Sequence, residues 1–271
     1  MFADTKITLN NGVKIPRVQL GTWLMDNDEA KKMVKKSIEI GYRAFDTAKD
    51  YGNESGIGKG IWNSDIERSD IFLTTKLPTS VKDYEGTKQA IDKALQRFSL
   101  DYIDLLLIHS PQPWIEVNRT DNRYFEGNLE NWRAMEEALK DGKVRAIGVS
   151  NFLQEDLENI IENGTITPAV NQIGVSIGNT PLPLIEYCQN KGITIEAYSP
   201  LSHGRFLKNE TIVNYAKKYN VIPAQLMLKY DCQLGCIVLP KSTDLNELKE
   251  DRELDFEISP EDMVELQKLK F

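Results

Sequence analysis

The chain opens on alternating apolar and polar positions, KITLNNGVKIPRV from Lys6 to Val18, interrupted by Asn10-Asn11-Gly12. Alternation with a period of two on either side of an Asn-Gly pair predicts a β-hairpin ahead of the main fold. Residues 18–23 then read as a first core strand. After it, Asp26 to Glu29 supply capping groups and favourable charge for a helix. Ala30, Met33, Val34, Ser37 and Ile38 share one face of that helix, and Gly41 ends it. Ala44 and Phe45 form the end of the next strand and Asp46 and Thr47 its carboxyl lip, while Gly52-Asn53 turns the chain into another helix from about Glu54.

Strand and helix continue to alternate. Strands are predicted at 71–75, 103–108, 146–149, 169–172, 193–198 and 236–239. Between them lie a helix carrying Ala90, Ile91, Ala94, Leu95 and Phe98, another with Trp132, Met135 and Leu139, and helical stretches at 155–162 and 182–190. Residues 105–108 are apolar throughout, as suits a strand buried on both faces. A long polar segment, 110–128, interrupts the alternation, and so long a loop in a compact domain is usually functional. The last helix is announced by Ser259-Pro260-Glu261-Asp262, an N-cap followed by proline at the first helical position. Eight βα units with no linker or shift of composition predict an α/β fold in one domain over residues 1–271: a (β/α)8 TIM barrel behind a short N-terminal β-hairpin.

Length agrees, since such a barrel takes about 250 residues and the chain has 271. A hydrophobic fraction of 41% and a charged fraction of 27% suit a chain that buries a sizeable core. The net charge of −8 and a pI near 5.0, without a basic cluster, argue against a nucleic-acid partner. No basic segment followed by an apolar one begins the chain, and no apolar run approaches the roughly 18 residues of a membrane span. No membrane partner and a cytoplasmic location are therefore expected. Cys188, Cys232 and Cys236 are too few for a disulfide framework and read as reduced core residues. Cys232 and Cys236 make a poor metal pair, because His109 and His203 are far from them in sequence, and no metal is expected.

Polar residues fall at strand carboxyl ends: Asp46, Lys76 after FLTT, His109 after LLLI, Ser150-Asn151 after IGV and Gln172 after AVN. Each has a bland explanation, Asp46 as a helix cap, Lys76 as a solvated lysine, His109 as a hydrogen-bonded histidine. Their coincidence at the end of a barrel where reactive groups collect points to a site. Gly56, Gly58 and Gly60 form a GxGxG pattern reminiscent of dinucleotide loops, but it does not follow a strand directly. Gly58 is better explained as a close-packing position in a helix.

The stretches GTW (21–23), FDTAKDYGNE (45–54), TTKLP (74–78), LLLIHSP (105–111), GVSNF (148–152), NQ (171–172), AYSPL (197–201) and LPKS (239–242) together resemble the aldo-keto reductases. The similarity covers essentially the whole chain in order, and is greatest to the bacterial soluble NADPH-dependent aldehyde and ketone reductases of the diketogluconate type. It implies a catalytic tetrad of Asp46, Tyr51, Lys76 and His109. A carbonyl that receives hydride at carbon must receive a proton at oxygen, and a tyrosine of pKa about 10 is a reluctant acid at neutral pH. Lys76, held by Asp46, is expected to favour the tyrosinate and lower that pKa, and His109 to orient the carbonyl as a neutral donor.

For the cofactor, the resemblance implies NADP(H), with NAD(H) possible. Ser150, Asn151 and Gln172 would hold the carboxamide, and Tyr198 would stack on the nicotinamide. Ser199 and Leu201 would line the pyrophosphate path, Lys241 and Ser242 would meet the 2'-phosphate, and Thr22 and Trp23 would complete the set. The substrate, a small carbonyl compound, would meet Trp23, Tyr51, His109 and Trp114. Three departures from the family pattern stand out. Ser110 occupies a position where many relatives have tryptophan, so the aromatic wall is expected from Trp23 and Trp114. The chain stops at Phe271 without the carboxyl-terminal loop of longer relatives, so an open pocket is expected. Glu247 stands where an arginine clamps the 2'-phosphate. Two alternatives are a nicotinamide-binding regulatory subunit resembling potassium-channel β subunits, and a glycoside or metal-dependent hydrolase. The first lacks a partner-binding extension here; the second needs paired carboxylates or several histidines at strand ends.

Overall fold

The computed structural model describes residues 1–117 and 119–271, so Asn118 of the long 110–128 segment lies outside the described residues. Strands β1 (Lys6–Thr8) and β2 (Lys14–Pro16) form the expected antiparallel hairpin, with Ile7 opposite Ile15. Gly12 takes φ +85° in its turn, a conformation for which glycine has no steric penalty. Asn10 and Asn11 anchor the turn by donating to the Pro168 and Arg145 carbonyls.

Eight parallel strands follow in sequence order: β3 (Leu20–Gly21), β4 (Ala44–Asp46), β5 (Phe72–Leu77), β6 (Ile103–Ile108), β7 (Val144–Ser150), β8 (Val170–Gly174), β9 (Thr194–Tyr198) and β10 (Ile237–Leu239). Gln19 N donates to Val238 O at 3.0 Å and Val238 N to Arg17 O at 2.9 Å, which joins the last strand to the first and closes the barrel. Helices α1 (Asn27–Glu39), α2 (Glu54–Trp62), α3 (Tyr84–Phe98), α4 (Phe125–Lys140), α5 (Gln154–Asn163), α6 (Leu182–Asn190), α7 (Glu210–Lys218), α8 (Pro223–Gln233), α9 (Leu245–Glu250) and α10 (Pro260–Lys268) surround it. The first core strand is shorter than residues 18–23. Its early part bonds β10 only through an isolated bridge, and the chain turns away at Leu24, where φ is +64°.

The period of two along each strand decides what enters the barrel. Ala44, Phe72, Leu105, Leu107, Ala146, Val170 and Ile237 form an interior apolar layer that Leu9 and Ile15 of the hairpin region plug from below. Phe45, Leu73, Leu106, Ile147, Ile195 and Val238 face the helices instead. One or two pleats above the inner layer, the same faces carry Asp46, Lys76, His109, Ser150, Gln172 and Glu196. The polar residues therefore converge because they share the parity of the inner apolar ones.

The glycine pattern of α2 serves packing. A Cβ on Gly56 would lie 2.2 Å from Asn27 O, and one on Gly58 would lie 2.2 Å from Phe98 O, so α2 is wedged between the start of α1 and the end of α3. The three cysteines are unpaired and buried. Burial pushes the Cys188 thiol up to about 11 and that of Cys232 to about 12, which keeps both protonated. Gly58→Ala should lower the unfolding free energy by about 1–3 kcal/mol, because rigid backbone must move to admit the methyl group. Chemical denaturation measures this, and an unchanged midpoint would show that the contact yields freely.

Candidate active site

Asp46 ends β4 and Lys76 lies near the end of the neighbouring β5, both almost wholly buried. Lys76 Nζ donates to Asp46 Oδ1 at 2.7 Å, to Asp46 Oδ2 at 2.8 Å and to Thr47 O at 2.9 Å, and stands 3.4 Å from the Tyr51 hydroxyl. Tyr51 reaches this position from a 3-10 turn, Lys49–Tyr51, that ends at Gly52 with φ +74°. Asn53 and Glu54 fasten the turn: Asn53 Nδ2 donates to the Thr22 and Met25 carbonyls, and Glu54 accepts from Thr75 Oγ1 and pairs with Arg97.

Burial lowers the affinity of Lys76 for its proton, but Asp46, with a contribution from Tyr51, reverses this and holds its pKa above the ordinary lysine value. The phenol behaves differently from the expectation of a lowered pKa. Burial raises it, Lys76 pulls it down, and Asp46 pushes it up again, for a net rise. The lysine charge is largely spent on the two oxygens of Asp46, so it cannot overcome the loss of water around Tyr51.

His109 follows β6 and packs edge-on against Tyr51, with ring centroids 5.7 Å apart, and against Trp114 at 4.8 Å. Burial lowers its pKa, with Asp50 opposing, so the ring is neutral at pH 7. Asp50 was not foreseen. Its Oδ2 lies 3.6 Å from His109 Nδ1, accepts from Trp114 Nε1 at 3.1 Å and has longer contacts to Thr79 N and Oγ1. Ser110 is fully buried and gives its carbonyl to Lys82, whose pKa burial brings down to about 7. Trp114 is the aromatic group beside His109, while Trp23 faces His203 across the mouth at 5.8 Å.

A second carboxylate lies next to this cluster. Gln172 Nε2 donates to Asp46 Oδ2 and to Glu196 Oε2, both at 2.9 Å, and Gln19 Nε2 donates to Glu196 Oε1 at 2.8 Å. Burial, with repulsion from Asp46, pushes Glu196 up to about 7. The sequence signal for it was an acidic residue inside the buried run ITIEAY. Both amide protons of Gln172 are engaged, which leaves its Oε1 without a hydrogen bond among the described residues.

Of the residues expected to hold a cofactor, Ser150, Asn151, Gln172 and Tyr198 come together. Ser150 Oγ donates to Gln172 O, Asn151 Nδ2 to Ser150 Oγ and His109 O, and the Tyr198 hydroxyl to Asn151 Oδ1 at 2.9 Å. The Tyr198 ring is 36% exposed and passes so close to Gly174 that a Cβ there would lie 3.3 Å away. Ser199 and Leu201 follow on the same loop, Ser199 Oγ lying 3.5 Å from His203 Nε2. Thr22 is buried and spends its hydroxyl on Asp46 O. Beyond β10, Lys241 is exposed, and Ser242 donates its hydroxyl proton to Glu247 of α9.

The Aldo/keto reductase family pattern matches residues 17–270. A glyoxal reductase of Bacillus subtilis is 40% identical over 265 residues, covering 97% of this chain and 92% of that protein. Among solved structures, an aldo/keto reductase from Brucella melitensis superposes with a TM-score of 0.90 at 38% identity, covering 97% of this chain and 98% of the other. A Bombyx mori aldo-keto reductase in complex with NADP gives 0.88 at 33% identity, covering 99% and 93%. Motif order, barrel closure and similarity along nearly the full length agree: the chain belongs to the aldo/keto reductase family.

Proposed function

We propose that the protein reduces aldehydes and ketones to alcohols with NADP(H), using Tyr51 as the proton donor. The observation that carries this is the Asp46–Lys76–Tyr51 chain of contacts, which brings a buried cation to a phenol at the barrel mouth. When bound, the cofactor supplies the hydride to the carbonyl carbon. Tyr51 gives its proton to the carbonyl oxygen, and Lys76 stabilises the phenolate left behind. Neutral His109, edge-on to Tyr51, orients the same oxygen.

The residues suit a nicotinamide. The exposed face of Tyr198 offers a planar surface for stacking, Gly174 leaves room behind it, and Gln172 Oε1 is free to accept from a carboxamide. Ser150 and Asn151 chiefly hold this arrangement in place, as does buried Thr22 through its bond to Asp46 O, while Trp23, Ser199 and Leu201 would border the path toward Lys241 and Ser242. The NADP-bound silkworm relative supports the same choice of cofactor. We place the protein in the cytoplasm, where thiols such as its three remain reduced; among the described residues no helix is long and apolar enough to cross a membrane.

Tyr51→Phe should leave cofactor binding intact and lower multiple-turnover reduction by about 10² to 10⁴, the usual worth of a positioned acid. Near-normal turnover of a good aldehyde would remove Tyr51 from the role; no turnover by the wild type with any carbonyl compound would favour a regulatory subunit.

The sign of the pH dependence follows from the raised phenol pKa. The acid form is present below that pKa, so reduction persists through neutral pH. Oxidation of alcohols requires the phenolate and rises toward alkaline pH. Lys76→Met should lower turnover and move the rising limb of alcohol oxidation to higher pH, because Lys76, the cation that favours the phenolate against burial and Asp46, is removed. Profiles that superpose in wild type and variant would contradict it.

Glu247 accepts the Ser242 hydroxyl hydrogen bond that a 2'-phosphate would otherwise accept, and adds its own negative charge. Discrimination against NADH should therefore be weak. Glu247→Arg should lower the Michaelis constant for NADPH by about tenfold and leave that for NADH nearly unchanged, since arginine makes charge-assisted contacts with phosphate. Equal NADPH constants in parallel titrations would exclude Glu247 from the choice.

A further inference from the structure

Asp50 is one residue before Tyr51, on the same turn, and its side chain is 29% exposed. Among the described residues its polar contacts are made by Oδ2 and come from uncharged groups: Trp114 Nε1, Thr79 N and Oγ1, and the ring of neutral His109. Oδ1 takes no hydrogen bond among the described residues. Partial burial works against ionisation of Asp50, but contacts with His109, Thr79 and Trp114 outweigh it and keep the pKa below the ordinary carboxylate value. Lys76 does not balance this charge, since both oxygens of Asp46 already hold it. An ionised carboxylate with a free oxygen thus faces the mouth beside the groups that would receive a carbonyl.

Resting on the reductase function proposed above, we propose that Asp50 is a specificity-determining residue: it favours uncharged carbonyl compounds with a hydroxyl next to the carbonyl and turns away those bearing a carboxylate. His109 touches both Tyr51 and Asp50, so a substrate whose carbonyl oxygen meets the phenol presents its neighbouring carbons to Asp50. A hydroxyl there donates to Oδ1, a charge-assisted bond. A substrate carboxylate meets an unneutralised negative charge and finds no donor in return, and rejection of this kind sets specificity as much as attraction does. The chemistry of the step is unchanged: hydride goes to carbon, the Tyr51 proton goes to oxygen, and NADPH leaves as NADP+.

The test compares kcat/KM for matched aldehydes: glyceraldehyde with propanal, and succinic semialdehyde with butanal. Wild type should prefer glyceraldehyde to propanal and butanal to succinic semialdehyde, each by about tenfold or more. Asp50→Asn removes the charge but keeps an acceptor, so it should abolish most of the discrimination against succinic semialdehyde and retain part of the preference for glyceraldehyde. Asp50→Val should abolish both. Effects passed through His109 to the reaction itself would scale all four substrates together and cancel in the ratios, and propanal turnover reports that each variant is folded. Ratios unchanged in both variants would overturn the proposal while leaving the reductase function standing. Failure of the wild type to reduce any of the four would overturn both.

Discussion

The structure of the site depends on one buried ion pair. Taking Lys76 and Asp46 out of water costs several kcal/mol per ion, and the pair survives because the ammonium finds three close acceptors and the carboxylate gains a further donor in Gln172. Removing either partner would strand a charge at a cost of about 3–5 kcal/mol. Replacing both with apolar residues would cost little stability, so the pair is better explained by chemistry than by folding. What it provides is a cation fixed against Tyr51 in a place water cannot screen.

That fixed charge is shared. Asp46 joins Gln172, and Gln172 joins Glu196, which Gln19 supports from the opposite side. An amide with both protons committed cannot flip, and its oxygen keeps a constant direction. The carboxylates near the site thus do different work. Asp46 holds the lysine, Glu196 fixes the amide, and Asp50 has an oxygen that takes no hydrogen bond among the described residues. At the far end of the proposed cofactor path the same acidity recurs: burial, with the charges of Glu247 and Glu250, pushes Asp251 up to about 7. On the proposed reading, a phosphate bound there would meet the carboxylate of Glu247 as well as Lys241.

Much of this was legible in the sequence, for a physical reason. A buried parallel strand is a short apolar run, and a polar residue of the right parity at its end must enter the barrel or its mouth. Asp46, Lys76, His109 and Gln172 were visible in this way, and β6 (Ile103–Ile108) matches its predicted bounds. Strand β5 runs on to Leu77 because Lys76 is itself part of the pleat, whereas a polar residue had suggested its end. Asp50 was hidden because the turn that carries it is polar throughout, and its significance comes from His109 and Trp114, which lie 59 and 64 positions away. Gln19 and Glu196 were hidden because they satisfy one another across the barrel seam, 177 positions apart. The phenol pKa was misjudged because a sequence shows a neighbouring charge more readily than it shows burial.

The central claim is that Tyr51, poised by Lys76 and Asp46, titrates as the acid of the reaction. Replacing it with fluorotyrosine tests this most directly, since the ring and hydroxyl keep their shape while the phenol becomes a stronger acid. The rising limb of alcohol oxidation should then move to lower pH with increasing fluorination. A limb that stays where it is in the wild type would show that some other group carries the proton.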